Sequence, residues 1–215
     1  MNSNITHYSE NAAKLAAQYN TLRTENYLPS FALVAQQAFA KNASMHVLDL
    51  GCGSGREAMW LAEHGCNVVA VDGSEPMLAE AAKHKSHLAI TYLQDMAPQL
   101  DNVQARGEKF DIALLSAFIF HLDEAERAEL METIIPLLKD DALVHVNLRH
   151  GPVPAGRTMY DVPDSEMEGF AKKFGLNHVF HGVAADELGR ADVSWAYHSL
   201  WRGDTWSHTP DFLMK

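Results

Sequence analysis

The apolar residues of the chain follow two alternating patterns, short continuous runs and longer stretches with helical spacing. Continuous apolar runs are typical of strands buried on both faces of a parallel sheet, whereas apolar residues three and four positions apart predict amphipathic helices. The pattern predicts strands at 47–50, 68–71, 87–93, 112–115, 142–148, 177–181 and 193–201, and helices at 57–64, 75–85, 124–139 and 164–174. Alternation within the last predicted strand favours an antiparallel edge strand. Strands that alternate with helices predict a doubly wound α/β fold, a mixed sheet of about seven strands with helices on both faces.

The segment before the first strand is predicted to be helical. Helical spacing covers Tyr8–Leu22, with Ser9 as the candidate N-cap residue, and a second helix is predicted at Phe31–Phe39. We therefore expect an N-terminal helical cap or lid at residues 1–42 and an α/β domain at residues 43–215, joined in one compact unit.

The composition and net charge of the chain exclude several classes of protein. The 215 residues are 47% hydrophobic and 21% charged, as in soluble globular chains, and no apolar run approaches the roughly 18–20 residues of a membrane span. The formal net charge is -11, whereas nucleic-acid binders need a positive surface. Residues 1–10 lack the form of a secretory signal. We therefore expect a cytoplasmic protein that binds neither nucleic acid nor membrane, as a monomer or a homodimer.

Cysteine and histidine positions suggest neither a disulfide nor a metal site. Cys52 lies inside a glycine-rich turn and Cys66 just before a predicted strand, so they do not look like a designed pair. The 12 histidines are scattered, with no HxxxH or CxxC pair at metal-ligand spacing. The expected metal content is none.

A glycine-rich turn follows the first strand. The sequence reads Leu48-Asp49-Leu50-Gly51-Cys52-Gly53-Ser54-Gly55, and helical spacing begins directly after it. Glycine lacks a Cβ atom, so this arrangement lets backbone N–H groups approach a ligand. A dinucleotide fingerprint needs its third glycine where Arg56 stands. Asp72 ends the second strand, where an acidic side chain is placed to accept hydrogen bonds from ribose hydroxyls.

The glycine-rich segment at 48–55 resembles motif I of the class I S-adenosylmethionine-dependent methyltransferases, and Ala70-Val71-Asp72-Gly73-Ser74 resembles their second motif. The resemblance implies a Rossmann-like fold, with the last strand inserted between the fifth and the sixth. It also implies S-adenosylmethionine as cofactor and S-adenosylhomocysteine as product. The cofactor-binding residues that follow from it are Asp49, Gly51, Cys52, Gly53, Arg56, Asp72, Gly73, Ser74, Met77, Asp95, Met96, Ser116 and Ala117.

Several of these cofactor residues have an alternative role. By resemblance, Asp49 holds the amino group of the cofactor through water, and Asp95 binds the adenine amino group. The alternative for Asp95 is that it only caps the next turn. Arg56 either binds a carboxylate or is an exposed first-turn arginine, and Met77 suits core packing with or without a ligand.

Two histidines are candidates for a general base, His121 after the fourth strand and His150 after the fifth. An ordinary imidazole pKa near 6.5 suits proton transfer at neutral pH. The alternative for His121 is a structural role that ties down its loop. A base is needed only if the acceptor is a hydroxyl or a protonated amine, because the cofactor itself supplies the electrophile.

The acceptor is expected near the long segment 149–163, whose glycines and prolines exclude regular structure. Arg149 and Arg157 favour an anionic acceptor, because guanidinium groups bind carboxylates and phosphates in a bidentate manner. The alternative is that they pair with carboxylates of the protein itself. Tyr160 lies in the same segment. In the methyltransferases resembled, the N-terminal helices form a lid, which makes Tyr8, Tyr19 and Tyr27 candidates to close the site.

The function expected from these features is methyl transfer by in-line displacement to a small-molecule acceptor. The two arginines favour an anionic acceptor. The alternatives are a binding protein for S-adenosylmethionine or S-adenosylhomocysteine without turnover, and a protein methyltransferase. An NAD-dependent oxidoreductase is less favoured, because Arg56 replaces the third glycine of the dinucleotide fingerprint.

Overall fold

A computed structural model of the chain describes residues 3–40, 44–83, 87–203 and 206. The described helices are α1 (Ser3–Glu10), α2 (Ala12–Tyr19), α3 (Thr24–Tyr27), α4 (Pro29–Phe39), α5 (Arg56–Glu63), α6 (Glu75–Ala81), α7 (Asp101–Ala105), α8 (Glu124–Ile134) and α9 (Asp164–Phe174). The described strands are β1 (His46–Leu50), β2 (Asn67–Asp72), β3 (Ile90–Gln94), β4 (Phe110–Leu115), β5 (Leu138–His150), β6 (Asn177–Ala185) and β7 (Ser194–Trp201).

The seven strands form one mixed sheet in the order β3-β2-β1-β4-β5-β7-β6. The pairs from β3 to β5 are parallel, and β7 is antiparallel to both of its neighbours. This confirms the Rossmann-like, doubly wound α/β fold. The insertion of β7 between β5 and β6 agrees with the family resemblance. The expectation of β7 at an edge was wrong: after its first residue β7 is buried throughout, whereas β6 is half-exposed and forms that edge.

The N-terminal segment differs from the single long helix that its spacing predicts. Tyr8–Leu22 is divided between α1 and α2, with a break at Asn11. Ser9 is not an N-cap residue, because it lies inside α1, where its hydroxyl is 2.9 Å from that of Ser74. The boundary predicted between residues 42 and 43 lies outside the described residues.

The predicted helix 124–139 is shorter than expected because Pro136 stands in it. Proline lacks an N–H group and clashes with the preceding turn, and a 3₁₀ turn at Ile135–Leu137 ends the helix. Strand β5 then begins at Leu138 and continues to His150. Arg149 and His150 are therefore the last residues of a strand and not part of a loop.

Two helices begin at side chains that cap their first turns. The Ser74 hydroxyl accepts a hydrogen bond from the backbone N–H of Met77, 3.3 Å away, and begins α6. Asp123 and Glu126 form a reciprocal capping box at the start of α8. These caps fix the chain direction just after β2 and β4.

A buried ion pair joins α8 to α9. The Arg127 side chain is 4% exposed, and its Nε and Nη2 atoms donate to the two carboxylate oxygens of Glu166 at 2.6 and 2.8 Å. Its Nη1 atom donates to the backbone oxygen of Leu122 at 2.7 Å. The pair thereby holds the segment that follows β4 against the two helices.

No helix in the described part of the chain is both long enough and apolar enough to cross a membrane.

Candidate functional site

A cavity of about 350 Å³ opens at the carboxyl edge of the sheet, between the strand ends and the N-terminal helices. This is the edge at which open α/β sheets bind ligands. The residues predicted from sequence that line it are Tyr8, Tyr19, Tyr27, Gly51, Cys52, Gly53, Arg56, Asp72, Gly73, Asp95, Met96, Ser116, Ala117, His121, Arg149 and Arg157.

The glycine turn is held close to the end of β2. Gly51 adopts a φ of +70°, and an added Cβ atom there would lie 2.5 Å from the Phe118 ring. The Asp72 carboxylate accepts hydrogen bonds from the N–H groups of Gly53 at 2.9 Å and of Ser74 at 2.8 Å. A carboxylate has about four acceptor positions, so Asp72 keeps capacity for ligand hydroxyls while it shapes the turn.

Two buried polar atoms beside this turn have no hydrogen-bond partner among the described residues, Asp49 Oδ2 and Ser116 Oγ. Asp49 is 1% exposed, and burial raises the pKa of its carboxyl well above the usual value. A positively charged ligand group nearby would compensate that burial. Asp49 lies behind the cavity wall, which agrees with a contact made through water.

The Asp95 carboxylate accepts hydrogen bonds from the protein's own backbone. Its two oxygens accept hydrogen bonds from the N–H groups of Met96 and Val103, both at 2.9 Å. This geometry is that of the turn-capping alternative. Asp95 nevertheless lines the cavity together with Met96, so contact with an adenine ring stays a prediction.

Arg56 is neither exposed nor free to pair with a ligand carboxylate. Its side chain is 13% exposed, its Nε donates to Glu57 at 2.8 Å, and its Nη1 donates to the backbone oxygen of Tyr19 at 3.3 Å. The guanidinium also lies 4.3 Å from the centre of the Tyr27 ring. The exposed-arginine alternative is therefore wrong, and the charge of Arg56 is already neutralised by Glu57.

Four predicted residues besides Asp49 lie outside this cavity. Ser74 begins α6, and Met77 packs beneath the glycine turn against α2. His150 and Tyr160 line a separate neighbouring cavity, where His150 Nδ1 is 3.2 Å from an Asp161 carboxylate oxygen. The structure thus separates His150 from His121.

His121 is held in one tautomer by its two neighbours. Its Nδ1 atom is 3.2 Å from the backbone oxygen of Thr158, which can only accept, so Nδ1 carries the proton. Nε2 is left as an acceptor for the Tyr8 hydroxyl, 3.1 Å away. Burial, offset in part by the Thr158 bond, lowers the pKa of His121 to about 4, and the nearby guanidiniums of Arg157 and Arg149 lower it further. At neutral pH the cavity wall therefore contains a neutral imidazole whose Nε2 lone pair accepts from the Tyr8 hydroxyl.

The low pKa of His121 predicts that the protein loses stability as the pH falls. The unfolded imidazole, with a pKa of 6.5, binds a proton at pH values where the folded one, near 4, does not. Stability from the neutral form is thus fully present above about pH 6.5 and is lost as the pH falls toward about 4. Between pH 7 and pH 5 we expect a loss of about 2 kcal/mol in unfolding free energy from this residue. Urea unfolding of His121→Asn should show a correspondingly smaller fall; an equal fall in both proteins would contradict the burial assigned to His121.

The helical cap is fastened over the cavity by α1. Asn4 and the backbone of Thr158 exchange two hydrogen bonds of 2.8 and 2.9 Å. Ile5 reaches Gly73 so closely that an added Cβ atom there would lie 2.6 Å from the Ile5 Cδ1 atom. Together with the Tyr8–His121 contact, these interactions place α1 across the mouth of the site.

Two arginines at the cavity wall have no carboxylate partner within 4.0 Å among the described residues, Arg149 and Arg157. Arg149 is 7% exposed, and it donates only to the backbone oxygens of Gly151 at 3.2 Å and Pro152 at 2.9 Å. Its Nε atom has no described partner. The alternative that the protein's own carboxylates neutralise these two arginines is wrong for the described structure.

The residues of the cavity wall that sequence reasoning missed include Leu188, Arg190 and Trp195. They come from the connection between β6 and β7 and from the start of β7. Because β7 is antiparallel, its first residues lie at the carboxyl edge of the parallel strands. The predicted antiparallel direction of the last strand was the signal that could have located them.

The described residues contain no group of three or more His, Cys, Asp or Glu side chains placed to hold a metal ion.

Comparison with known proteins agrees with this geometry. A family model described as a methyltransferase domain matches residues 47–141, which carry the glycine turn, Asp72, Asp95 and His121. Ubiquinone biosynthesis O-methyltransferase of Bradyrhizobium diazoefficiens is 38% identical to this chain over 80 residues, which are 36% of this chain and 30% of the relative. The chain spans between 30% and 55% of the length of the curated relatives it matches.

Solved methyltransferases share the fold over most of the chain. The 1,6-didemethyltoxoflavin-N1-methyltransferase of Burkholderia thailandensis superposes with a TM-score of 0.64 at 20% identity, covering 91% of this chain and 90% of that one. Its structure contains 1,6-didemethyltoxoflavin and S-adenosylhomocysteine. Magnesium protoporphyrin IX methyltransferase of Synechocystis, with bound S-adenosylhomocysteine, has a TM-score of 0.63 at 17% identity and covers 84% of both chains. The chain therefore shares the fold of these solved methyltransferases.

Proposed function

We propose that the protein is an S-adenosylmethionine-dependent methyltransferase that acts on a small anionic acceptor. The observation that carries the proposal is the cavity itself, in which the glycine turn and Asp72 lie on one side and the unpaired Arg149 guanidinium on the other. The first side suits the cofactor and the second suits an anion.

The cofactor side fits S-adenosylmethionine on three counts. Gly51 has a φ of +70° and lies against Phe118, so the turn that presents backbone N–H groups to the cavity needs glycine at this position. The Asp72 carboxylate, buried at the tip of β2, suits ribose hydroxyls. The unpaired Asp49 oxygen suits a positively charged amino group. S-adenosylmethionine supplies an electrophilic methyl group when it is bound.

The acceptor side supports the anionic character. The chain as a whole is acidic, with a formal net charge of -11, yet Arg149 and Arg157 at this wall lack carboxylate partners in the described structure. A buried charge without a partner costs free energy that an anionic ligand would offset. A relative of the same fold, from Burkholderia thailandensis, holds the small molecule 1,6-didemethyltoxoflavin, which is consistent with a small acceptor here.

The chain's own residues would contribute positioning, exclusion of water and proton transfer. The cap closes the cavity through α1, and Arg149 and Arg157 would orient the acceptor. If the acceptor carries a proton on its nucleophilic atom, the neutral His121 Nε2 is the group placed to receive it through the Tyr8 hydroxyl, from which it accepts a hydrogen bond. His150 points into the neighbouring cavity and has no part in this scheme.

Calorimetric titration of the purified protein tests the cofactor. We expect S-adenosylmethionine and S-adenosylhomocysteine to bind and NAD not to bind. Asp72→Ala should weaken S-adenosylhomocysteine binding about tenfold or more, because charge-assisted hydrogen bonds contribute about 1.5–3 kcal/mol. Asp101→Ala, which removes an exposed carboxylate from α7, is the matched control and should bind as the wild type does. Binding of NAD alone would overturn the proposal.

Methyl-labelled S-adenosylmethionine tests the acceptor. The protein is incubated with the label and a low-molecular-mass cell extract, and the products are separated on an anion-exchange resin. Label in the retained fraction is the expected result. Label only in unretained small molecules would contradict an anionic acceptor, and label only in protein would identify a protein methyltransferase. Cofactor binding without any transfer would favour a binding protein.

A further inference from the structure

The wall of the cavity around Arg149 combines one buried cation with a group of aromatic rings. Arg149 on β5 pairs in register with Trp195 on β7, and both side chains line the cavity. Phe120, from the 3₁₀ turn after β4, lines the same region. The cation of this wall restricts the charge of the acceptor, and the aromatic rings restrict its shape.

The cation at this wall is unsatisfied. The Nε atom of Arg149 is buried without a described partner, and the carbonyl oxygens that its other nitrogens contact carry no net charge. Burial lowers the pKa of Arg149, and the guanidiniums of Arg190 and Arg157 lower it further. An anion bound here would relieve both effects.

Three aromatic rings lie together beside this cation. The Trp195 ring lies 6.0 Å from the Phe120 ring at an interplanar angle of 57°, and 5.3 Å from the Tyr27 ring at 74°. Aromatic faces and edges arranged in this way prefer another planar ring to a bulky aliphatic group. A planar ligand would therefore gain packing that a puckered one of equal size would not.

Trp195 is fixed in position by the connection between β6 and β7. Its indole N–H donates to Asp186 at 2.9 Å, and the same carboxylate is paired with Arg190 at 2.6 and 2.9 Å. Asp186 therefore neutralises Arg190 and orients Trp195. Arg149 and Arg157 are left without a carboxylate partner at this wall of the described cavity, and of the two only Arg149 is buried.

We propose that the acceptor is a planar aromatic acid, whose ring packs against Trp195 and Phe120 and whose carboxylate pairs with Arg149. This inference rests on the proposed function, because it assigns a substrate class to the same cavity. It makes Trp195 and Phe120 specificity-determining residues. Trp195 would select the flat body of the acceptor, and Arg149 its charge.

Binding of simple probes tests the substrate class without knowledge of the natural acceptor. Benzoate, benzamide and cyclohexanecarboxylate are titrated into the protein in the presence of saturating S-adenosylhomocysteine. We expect benzoate to bind about tenfold more tightly than benzamide, which lacks the charge, because hydrogen bonds to charged groups contribute about 1.5–3 kcal/mol. Benzoate should also bind more tightly than cyclohexanecarboxylate, which carries the charge on a puckered ring.

Two variants assign these preferences to residues. Arg149→Gln should remove the preference for benzoate over benzamide, and Trp195→Leu should remove the preference for benzoate over cyclohexanecarboxylate. Arg106→Gln, which changes an arginine paired with Glu108 far from the cavity, should leave both preferences intact. If Arg149→Gln does not fold, Arg149→Lys and the comparison of probes in the wild type still decide the question.

The outcomes separate this inference from the proposed function. Binding of S-adenosylhomocysteine with no preference for benzoate over benzamide overturns the aromatic-acid assignment and leaves the methyltransferase proposal standing. Absence of S-adenosylhomocysteine binding overturns the proposed function itself. A preference for benzoate that persists in Arg149→Gln would move the anion to another residue and contradict the assignment.

Discussion

Gly51→Ala is expected to weaken S-adenosylhomocysteine binding by about tenfold or more and to destabilise the protein. Gly51 has a φ of +70°, where a residue with a Cβ atom is strained by roughly 1–2 kcal/mol. The added methyl group would also lie 2.5 Å from the Phe118 ring, so either the turn or the ring must move. Both line the cavity. Calorimetric titration and denaturant unfolding of the variant measure the two effects.

Gly107 provides a matched control for this prediction. It has a similar φ of +64°, but nothing lies within 4 Å of a Cβ atom added there. Gly107→Ala should therefore show the backbone strain alone, about 1 kcal/mol of unfolding free energy, with unchanged ligand binding. If the two variants were equally stable and bound S-adenosylhomocysteine equally well, the contact between the glycine turn and Phe118 would not matter for the site.

Glu166→Ala is expected to lower the free energy of unfolding by about 3 kcal/mol. The substitution leaves the guanidinium of Arg127, which is 4% exposed, without its bidentate partner. Removing one member of a buried ion pair typically costs about 3–5 kcal/mol, because the remaining charge stays buried. We place the effect at the low end because the Glu166 side chain is 16% exposed, which lets water reach the pair. Urea unfolding at neutral pH measures it.

Glu168→Ala is the control, since Glu168 is an exposed residue of the same helix, α9. Its loss should change the unfolding free energy by less than about 0.5 kcal/mol. A comparable loss in both variants would show that helix α9, and not the ion pair with Arg127, is responsible. Because Arg127 also holds the backbone oxygen of Leu122, Glu166→Ala should in addition loosen the segment that carries His121.

Much of the fold follows from local pattern. The continuous apolar runs at β1, β2 and β4 mark strands buried on both faces, and Ser74 and Asp123 mark helix starts through hydrogen bonds within a single turn. The position of β7 could not be read from its own alternation. Its burial comes from pairing with β5 and β6 on both sides, which is a long-range property of the sheet.

The candidate site shows the same difference between residues that a local pattern reveals and residues that only the folded sheet brings together. The residues of the cofactor side follow one another closely in the chain, so that Gly51, Gly53 and Asp72 are recognisable as a pattern. The acceptor side joins the segment after β4, the end of β5 and the start of β7, where Trp195 lies opposite Arg149. No short pattern carries that juxtaposition, and sequence reasoning found Arg149 but not Trp195.

The contacts that hold α1 across the cavity affect the rate at which a bound ligand can be exchanged. Asn4 and Thr158 are joined by two hydrogen bonds, and Tyr8 and His121 by one. Each of these hydrogen bonds contributes about 1 kcal/mol to stability, so separating α1 from the cavity mouth costs little free energy. A spent ligand beneath α1 cannot leave until these contacts separate, and a fresh one cannot be enclosed until they re-form. Under the proposed function, the opening of α1 would therefore set part of the turnover rate, beside the methyl transfer itself.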